Sequence, residues 1–203
     1  MCGRGTQDSG AEVAERIHAD LVDGDVYGIA ARPNLAPTDP IVVLRRDAGK
    51  RRLFVARWGM HRAHGRPTIN ARDDKLATPA WRGLTRQGRV VVPLRGFYEW
   101  DKTTRQPWWF TRTDAEPLLL AGLLAPSSEP RVVIVTTAGS EDIADLHDRM
   151  PAVLEPGMVD AWLSDEVPAE VLVHPAPAGT LRREPGAERI ASAKPASRQG
   201  SLF

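Results

Sequence analysis

The feature that most constrains this fold is a set of short, unbroken apolar runs: Ile41-Val42-Val43-Leu44, Leu53 to Trp58, Val90-Val91-Val92, Leu118 to Leu124 and Val132 to Val135. Each has the length of a strand buried on both faces and is too short for a helix of ordinary length. Gly96-Phe97-Tyr98-Glu99-Trp100 and Trp108-Trp109-Phe110 flank the polar segment Asp101 to Gln106, which reads as a hairpin. Helical signals are fewer. Ser9 followed by Glu12 forms a capping box, and Val13, Ile17 and Leu21 recur every four residues, which predicts a helix over about residues 10 to 22, closed by Gly24. Thr78-Pro79 opens a second helix that Gly88 ends, Ser140 caps a third reaching about Leu146, and a fourth spans about Met158 to Leu163. Pro151 disfavours helix in the residue before it, and Glu170 to Val173 reads as a last strand. The expectation is an α+β single domain over residues 1 to 175, with a curved or barrel-like, mainly antiparallel β-sheet and a few flanking helices. From residue 176 to 203, Pro, Ala, Gly, Ser and Arg dominate, and a flexible tail is predicted.

A chain of 203 residues with 42% hydrophobic content can bury one sizeable core. No apolar run approaches the roughly 18 residues of a membrane span, and no secretion signal is evident, so a cytoplasmic, nucleoid-associated monomer is expected. The single cysteine, Cys2, rules out an internal disulfide. Net charge is only +1, yet between Arg45 and Arg95 twelve Arg, Lys50 and Lys75 face three acids, Asp47, Asp73 and Asp74. Such a stretch is what phosphate neutralisation needs, and a solvated arginine-rich face is the alternative to it.

Chemistry concentrates at the start. If Met1 is removed, Cys2 carries an α-amine and a thiol on one carbon, and this 1,2-aminothiol can capture an aldehyde as an imine and close a thiazolidine ring. On these residues alone, a Cys that merely follows Met in a floppy start is an equal reading. Glu99 lies among aromatics, where desolvation favours proton exchange near neutrality, or on an edge facing water. His147 stands at a proline-broken helix end, and Asn70 and Arg72 share one face of an extended segment. His61 and His64 are read as surface histidines, and no metal ligand set is predicted.

Six segments occur together in order: Met1-Cys2-Gly3-Arg4, Asn34-Leu35-Ala36-Pro37-Thr38, Arg57-Trp58-Gly59-Met60, Ile69-Asn70-Ala71-Arg72, Gly96-Phe97-Tyr98-Glu99-Trp100 and Leu146-His147-Asp148-Arg149-Met150-Pro151. In this the chain resembles the SRAP family, the SOS-response-associated peptidases, over roughly residues 1 to 175. The resemblance implies a DNA damage response protein that binds single-stranded DNA at abasic sites. It would form a covalent DNA–protein crosslink through a thiazolidine at Cys2, after autoproteolytic or aminopeptidase removal of Met1, with possible lyase activity. It implies that Asn70 holds the N-terminal residue and the sugar, that Glu99 shuttles protons, and that His147 assists ring opening. Arg4, Arg72 and Arg149 would grip flanking phosphates, and Pro37 and Trp58 would contact bases. Gly5 stands where an aromatic residue is common, and the loop after Gly59 lacks a second Trp.

No metal or organic cofactor is required, because an aldehyde and an aminothiol react once positioned. Gln199, Ser201, Leu202 and Phe203 resemble the motif that docks on the bacterial sliding clamp, which would be a partner beside abasic single-stranded DNA. An N-terminal-nucleophile amidohydrolase or glutamine amidotransferase using Cys2 is the rival reading, and Arg4 and the absence of a synthase domain speak against it.

Overall fold

A computed structural model describes residues 3–61, 65, 67–125 and 127–192. Strand β1 (Gly5–Gln7) leads into helix α1 (Gly10–Ile17), where Ser9 and Glu12 make the capping box in both directions. The helix stops a turn earlier than its apolar spacing predicts. His18 takes a left-handed conformation at φ 48°, and the Asp20 carboxylate accepts the Arg51 N–H at 2.7 Å, drawing the chain out into β2 (Leu21–Val22). Gly24 therefore opens a 3₁₀ turn to Gly28 instead of closing a helix.

After β3 (Arg32–Leu35), strands β4 (Pro40–Asp47) and β5 (Lys50–Trp58) form a hairpin whose two loop residues, Ala48 and Gly49, both have positive φ. That backbone twist matches the flanking strands. The chain continues through β6 (Asn70–Arg72), helix α2 (Pro79–Gln87), β7 (Arg89–Leu94), β8 (Gly96–Trp100) and β9 (Pro107–Arg112). Then follow β10 (Leu118–Ala125), β11 (Arg131–Ala138), β12 (Arg149–Pro151), helices α3 (Val159–Leu163) and α4 (Ala169–Leu172), β13 (Leu181–Pro185) and α5 (Ala187–Ser192).

Two mainly antiparallel sheets result, as the α+β reading expects. One runs β13-β9-β8-β1-β3 and the other β12-β11-β10-β7-β4-β5-β2. In the larger sheet β11 also bonds β5 over Arg131 and Val132, so β5, β4, β7, β10 and β11 close into a ring. The apolar runs are continuous because both faces of these strands are buried. Ile41 and Val43 of β4, with Val132 and Ile134 of β11, pack against Phe97 and Phe110 of the smaller sheet. The alternate residues Val42, Leu44, Val133 and Val135 pack on the other side with Trp162 of α3. The Gln7 side chain fastens the two sheets, donating to the Val42 and Pro93 carbonyls and accepting the Val42 N–H. No helix among the described residues is long and apolar enough to cross a membrane.

Three further expectations change. Residues 141–146 form successive turns, not a helix, because Asp142 accepts the N–H groups of Gly179 and Leu181 and Asp145 pairs with Arg183, tying the segment to β13. Glu170 to Leu172 is helical where a strand was predicted, with Val173 an extended cap and Ala169 and Leu172 buried at a three-residue spacing. Residues beyond 175 do not begin a tail. β13 pairs with β9 over Leu181 to Pro185, while Arg183 and Arg189 lie over the rings of Trp108 and Trp109, 5.0 and 3.8 Å from their centroids. Arginine–aromatic contacts hold this segment, and an apolar pattern cannot reveal them. Gln199, Ser201, Leu202 and Phe203 lie outside the described residues.

The arginine-rich middle of the chain is not a bare positive face either. Arg46 and Arg51 pair with Asp160, Arg52 with Asp23 and Asp47, Arg57 with Glu129 and Arg95 with Asp8. Most of these acids come from elsewhere in the sequence, which a local charge count does not register.

Candidate active site

The start of the chain is threaded between two strands. β1 pairs with β3 on one side and β8 on the other, Gly5 facing both Leu35 and Phe97. Ahead of β1, the Arg4 carbonyl accepts the Tyr98 N–H at 3.0 Å, and extending this register sets Gly3 opposite Glu99. Alternation along β8 puts Glu99 on the same face as Phe97, whose ring stacks on Phe110 at 5.1 Å. Glu99 is thus an inward carboxylate, only 5% exposed, and the water-facing alternative is excluded. Behind it the Tyr98 hydroxyl donates to the Pro33 carbonyl, and burial pushes its pKa up to about 12. Cys2, Met1 and His64 lie outside the described residues.

His147 lies at the end of the turns that follow β11, and its side chain is 18% exposed. Burial depresses its pKa below the usual 6.5, and the positive amino terminus and Lys102 act in the same direction. The charges of Glu99 and Asp148 oppose them. The Arg149 N–H donates to His147 Nδ1 at 2.9 Å. The Asp148 carboxylate lies at the same distance from that nitrogen but is 81% exposed. An Nδ1 that accepts from Arg149 cannot also carry a proton toward Asp148; burial favours the neutral ring, with its proton on Nε2.

β12 and β6 flank β11 from opposite sides: Ala138 faces Arg149, and Thr136 faces Arg72. The Arg149 guanidinium crosses β11 to Asp73, Nη2 donating to Oδ1 at 2.7 Å and also to the Thr136 carbonyl. The sequence reading assigned Arg149 to a phosphate; the structure gives it these protein partners and leaves its side chain 12% exposed. Asn70, half-buried, faces Ile134 from β6, and Arg72 holds Asp74 with two hydrogen bonds at 2.9 and 3.0 Å while remaining half exposed. Arg4 donates to the Asn34 side chain at 2.8 Å.

Pro37 occupies a tight turn in which the Asp39 N–H returns to the Ala36 carbonyl. Thr38 stands there at φ 79°, a left-handed conformation that a β-branched residue adopts only under restraint. The Trp58 carbonyl accepts its N–H, and Arg57 donates to its carbonyl. Trp58 itself corrects the expectation of a base-contacting indole. It is fully buried, its Nε1–H donating to the Ile69 carbonyl at 3.2 Å, so it braces the segment that enters Asn70.

A family model for the SOS response associated peptidases (SRAP) matches residues 1–192. The chain belongs to the SRAP family. This SRAP chain is 31% identical over 185 residues to the abasic site processing protein YedK of Escherichia coli, covering 82% of this chain and 81% of that protein. It is 30% identical over 183 residues to the abasic site processing protein YoqW of Bacillus subtilis, covering 81% and 80%. Among solved structures, the SRAP chain superposes on a Bacteroides thetaiotaomicron protein with a TM-score of 0.76 at 19% identity, covering 90% of each chain. It superposes on a phage-related protein of Bordetella bronchiseptica with a TM-score of 0.73 at 26% identity, covering 91% of this chain and 93% of that one. The SRAP match extends past β13, in agreement with a domain that continues beyond residue 175.

The network from Asp73 through Arg149 to His147 was absent from the sequence reading. Its signal was nonetheless visible, since Asp73 and Asp74 are two of the three acids in an otherwise basic stretch.

Proposed function

We propose that this chain processes abasic sites in single-stranded DNA by forming a thiazolidine between Cys2 and the ring-opened sugar, once Met1 has been removed. The observation that carries the reading is the β1–β8 register, which places Gly3, the covalent neighbour of Cys2, opposite the buried Glu99. His147, within the electrostatic reach of Glu99, completes a proton-handling pair. The α-amine adds to the sugar aldehyde, and the resulting carbinolamine loses water to give an imine. The thiol sulfur then bonds the imine carbon while the nitrogen takes up the thiol proton, so one water is released overall. Glu99 moves protons to and from the amine and the departing oxygen and takes the anomeric hydroxyl proton as the sugar ring opens, while neutral His147 donates a hydrogen bond from Nε2–H to the ring oxygen, which receives that proton in turn.

Arg4 and Arg72 are the cations for flanking phosphates, and Pro37 offers an apolar surface on a restrained turn for an adjacent base. The same reading assigns the last residues, Gln199 to Phe203, to a sliding-clamp pocket. Loss of clamp affinity on deleting residues 199–203, read by fluorescence anisotropy, tests that assignment.

Intact-mass spectrometry of the purified protein, alone and after incubation with an abasic oligonucleotide, tests the central claim. The expected product is the sum of Met1-free protein and DNA less one water, lost in Cys2→Ala. An unmodified protein mass after incubation, or an adduct that survives Cys2→Ala, refutes it.

A further inference from the structure

Asp73 touches neither Glu99 nor His147 directly, yet its carboxylate holds the arginine whose backbone holds the histidine. Arg149 Nη2 is shared between Asp73 Oδ1 and the carbonyl and hydroxyl of Thr136, which locks the guanidinium across β11. The same residue's N–H meets His147 Nδ1. The two bonds belong to one residue at the first position of β12, so the seat of the side chain and the direction of the N–H are fixed together. Without that seat Nδ1 is open to Asp148, whose carboxylate already lies 2.9 Å away and demands the opposite protonation.

We propose that Asp73 is a positioning residue which, through Arg149, keeps His147 in the neutral form with its proton on Nε2. This rests on the abasic-site reading only for its catalytic consequence; the structural relay stands without it. The charged groups of the described residues that act on His147 are Glu99 from β8, Lys102 from the β8–β9 loop and Asp148 from its own segment. Glu99 and Lys102 lie on other segments and stay in place when the relay is broken, so a change at Nδ1 reports the exchange of Arg149 N–H for Asp148. A hydrogen bond donated to the neutral ring disfavours its protonation, and its loss moves the titration upward.

The experiment is a long-range ¹H–¹⁵N spectrum of the His147 ring, recorded with a pH titration, in the wild type and in Asp73→Asn. The isosteric amide keeps its volume and loses its charge. The wild type is expected to show unprotonated Nδ1 and protonated Nε2 near neutral pH. Asp73→Asn is expected to gain Nδ1 protonation and a higher titration midpoint, with crosslinking slowed about tenfold, part of the roughly 10²–10⁴ that a positioned acid–base group contributes. Should Asp73→Asn not fold, Arg149→Lys keeps the cation but cannot span Asp73 and Thr136 together, and the same upward shift is expected. Wild-type His147 signals in a folded variant overturn the proposal. If the wild type forms no adduct with abasic DNA, the functional reading fails while the spectra still decide the relay.

Discussion

Replacing Gly96 with alanine tests whether the close contact between β8 and its neighbours positions the site. A Cβ at Gly96 would lie 2.5 Å from the Phe110 carbonyl oxygen and 2.5 Å from Trp109 Nε1. The first of these is backbone, so β9 itself has to move. The second is an indole nitrogen already donating to Thr6 Oγ1 at 3.1 Å, and displacing it breaks a buried bond between β9 and β1. Overpacking of this kind costs about 1–3 kcal/mol and the broken bond about 1 more. The sum, about 3 kcal/mol, corresponds to a fall in Tm of roughly 6–12 °C for a chain of this size. Gly24→Ala is the control, because a Cβ there meets nothing within 4 Å. Differential scanning calorimetry of the two variants gives the answer. A Tm for Gly96→Ala within about 2 °C of the wild type would show that the strands yield at little cost and that the close contact at Gly96 does not hold β8 in place.

Trp58→Phe is expected to lower stability while leaving the affinity for undamaged single-stranded DNA within about twofold, since a stacking role would forfeit about 1–3 kcal/mol per base; fluorescence anisotropy separates the two. Ser9→Ala removes the α1 cap and should reduce unfolding free energy by about 1 kcal/mol in urea titrations. His147 should titrate below 6.5, because burial lowers its pKa first and foremost, so its neutral form persists at pH 6.5 and is lost only in more acidic solution; an NMR midpoint at or above 6.5 contradicts this. Arg112 holds the Asp114 carboxyl down to about 2. Asp114 thus adds stability above its unfolded value of about 4 that fades as pH falls through 2. Asp114→Asn should destabilise by less than about 1 kcal/mol at neutral pH, the limit for an exposed pair, with the difference from wild type shrinking toward pH 2.

The strands were legible because burial on both faces leaves unbroken apolar runs, and the capping box because its two partners are three residues apart. The early end of α1 was not legible, since it depends on Asp20 meeting Arg51, two residues far apart in sequence. β13 and α5 were hidden for a related reason: their anchors are arginines on tryptophans and on acids, and composition reads such residues as solvated. The motifs that carry Asn70, Glu99 and His147 were legible as short contiguous segments, and the burial of Glu99 was not. Trp58 was misassigned because a motif does not tell which way an indole points, and Asp73 was missed because its partner Arg149 lies 76 residues away.

The threading of β1 between β3 and β8 has a consequence in time. β1 is synthesised first, but its partner Phe97 follows about 90 residues later, which at a ribosomal rate of roughly 5–20 residues per second is a delay of about 5–20 s. During that interval β1 lacks one of its two neighbours and can pair only with β3. Completion of β8 ends the interval by supplying the second neighbour of β1.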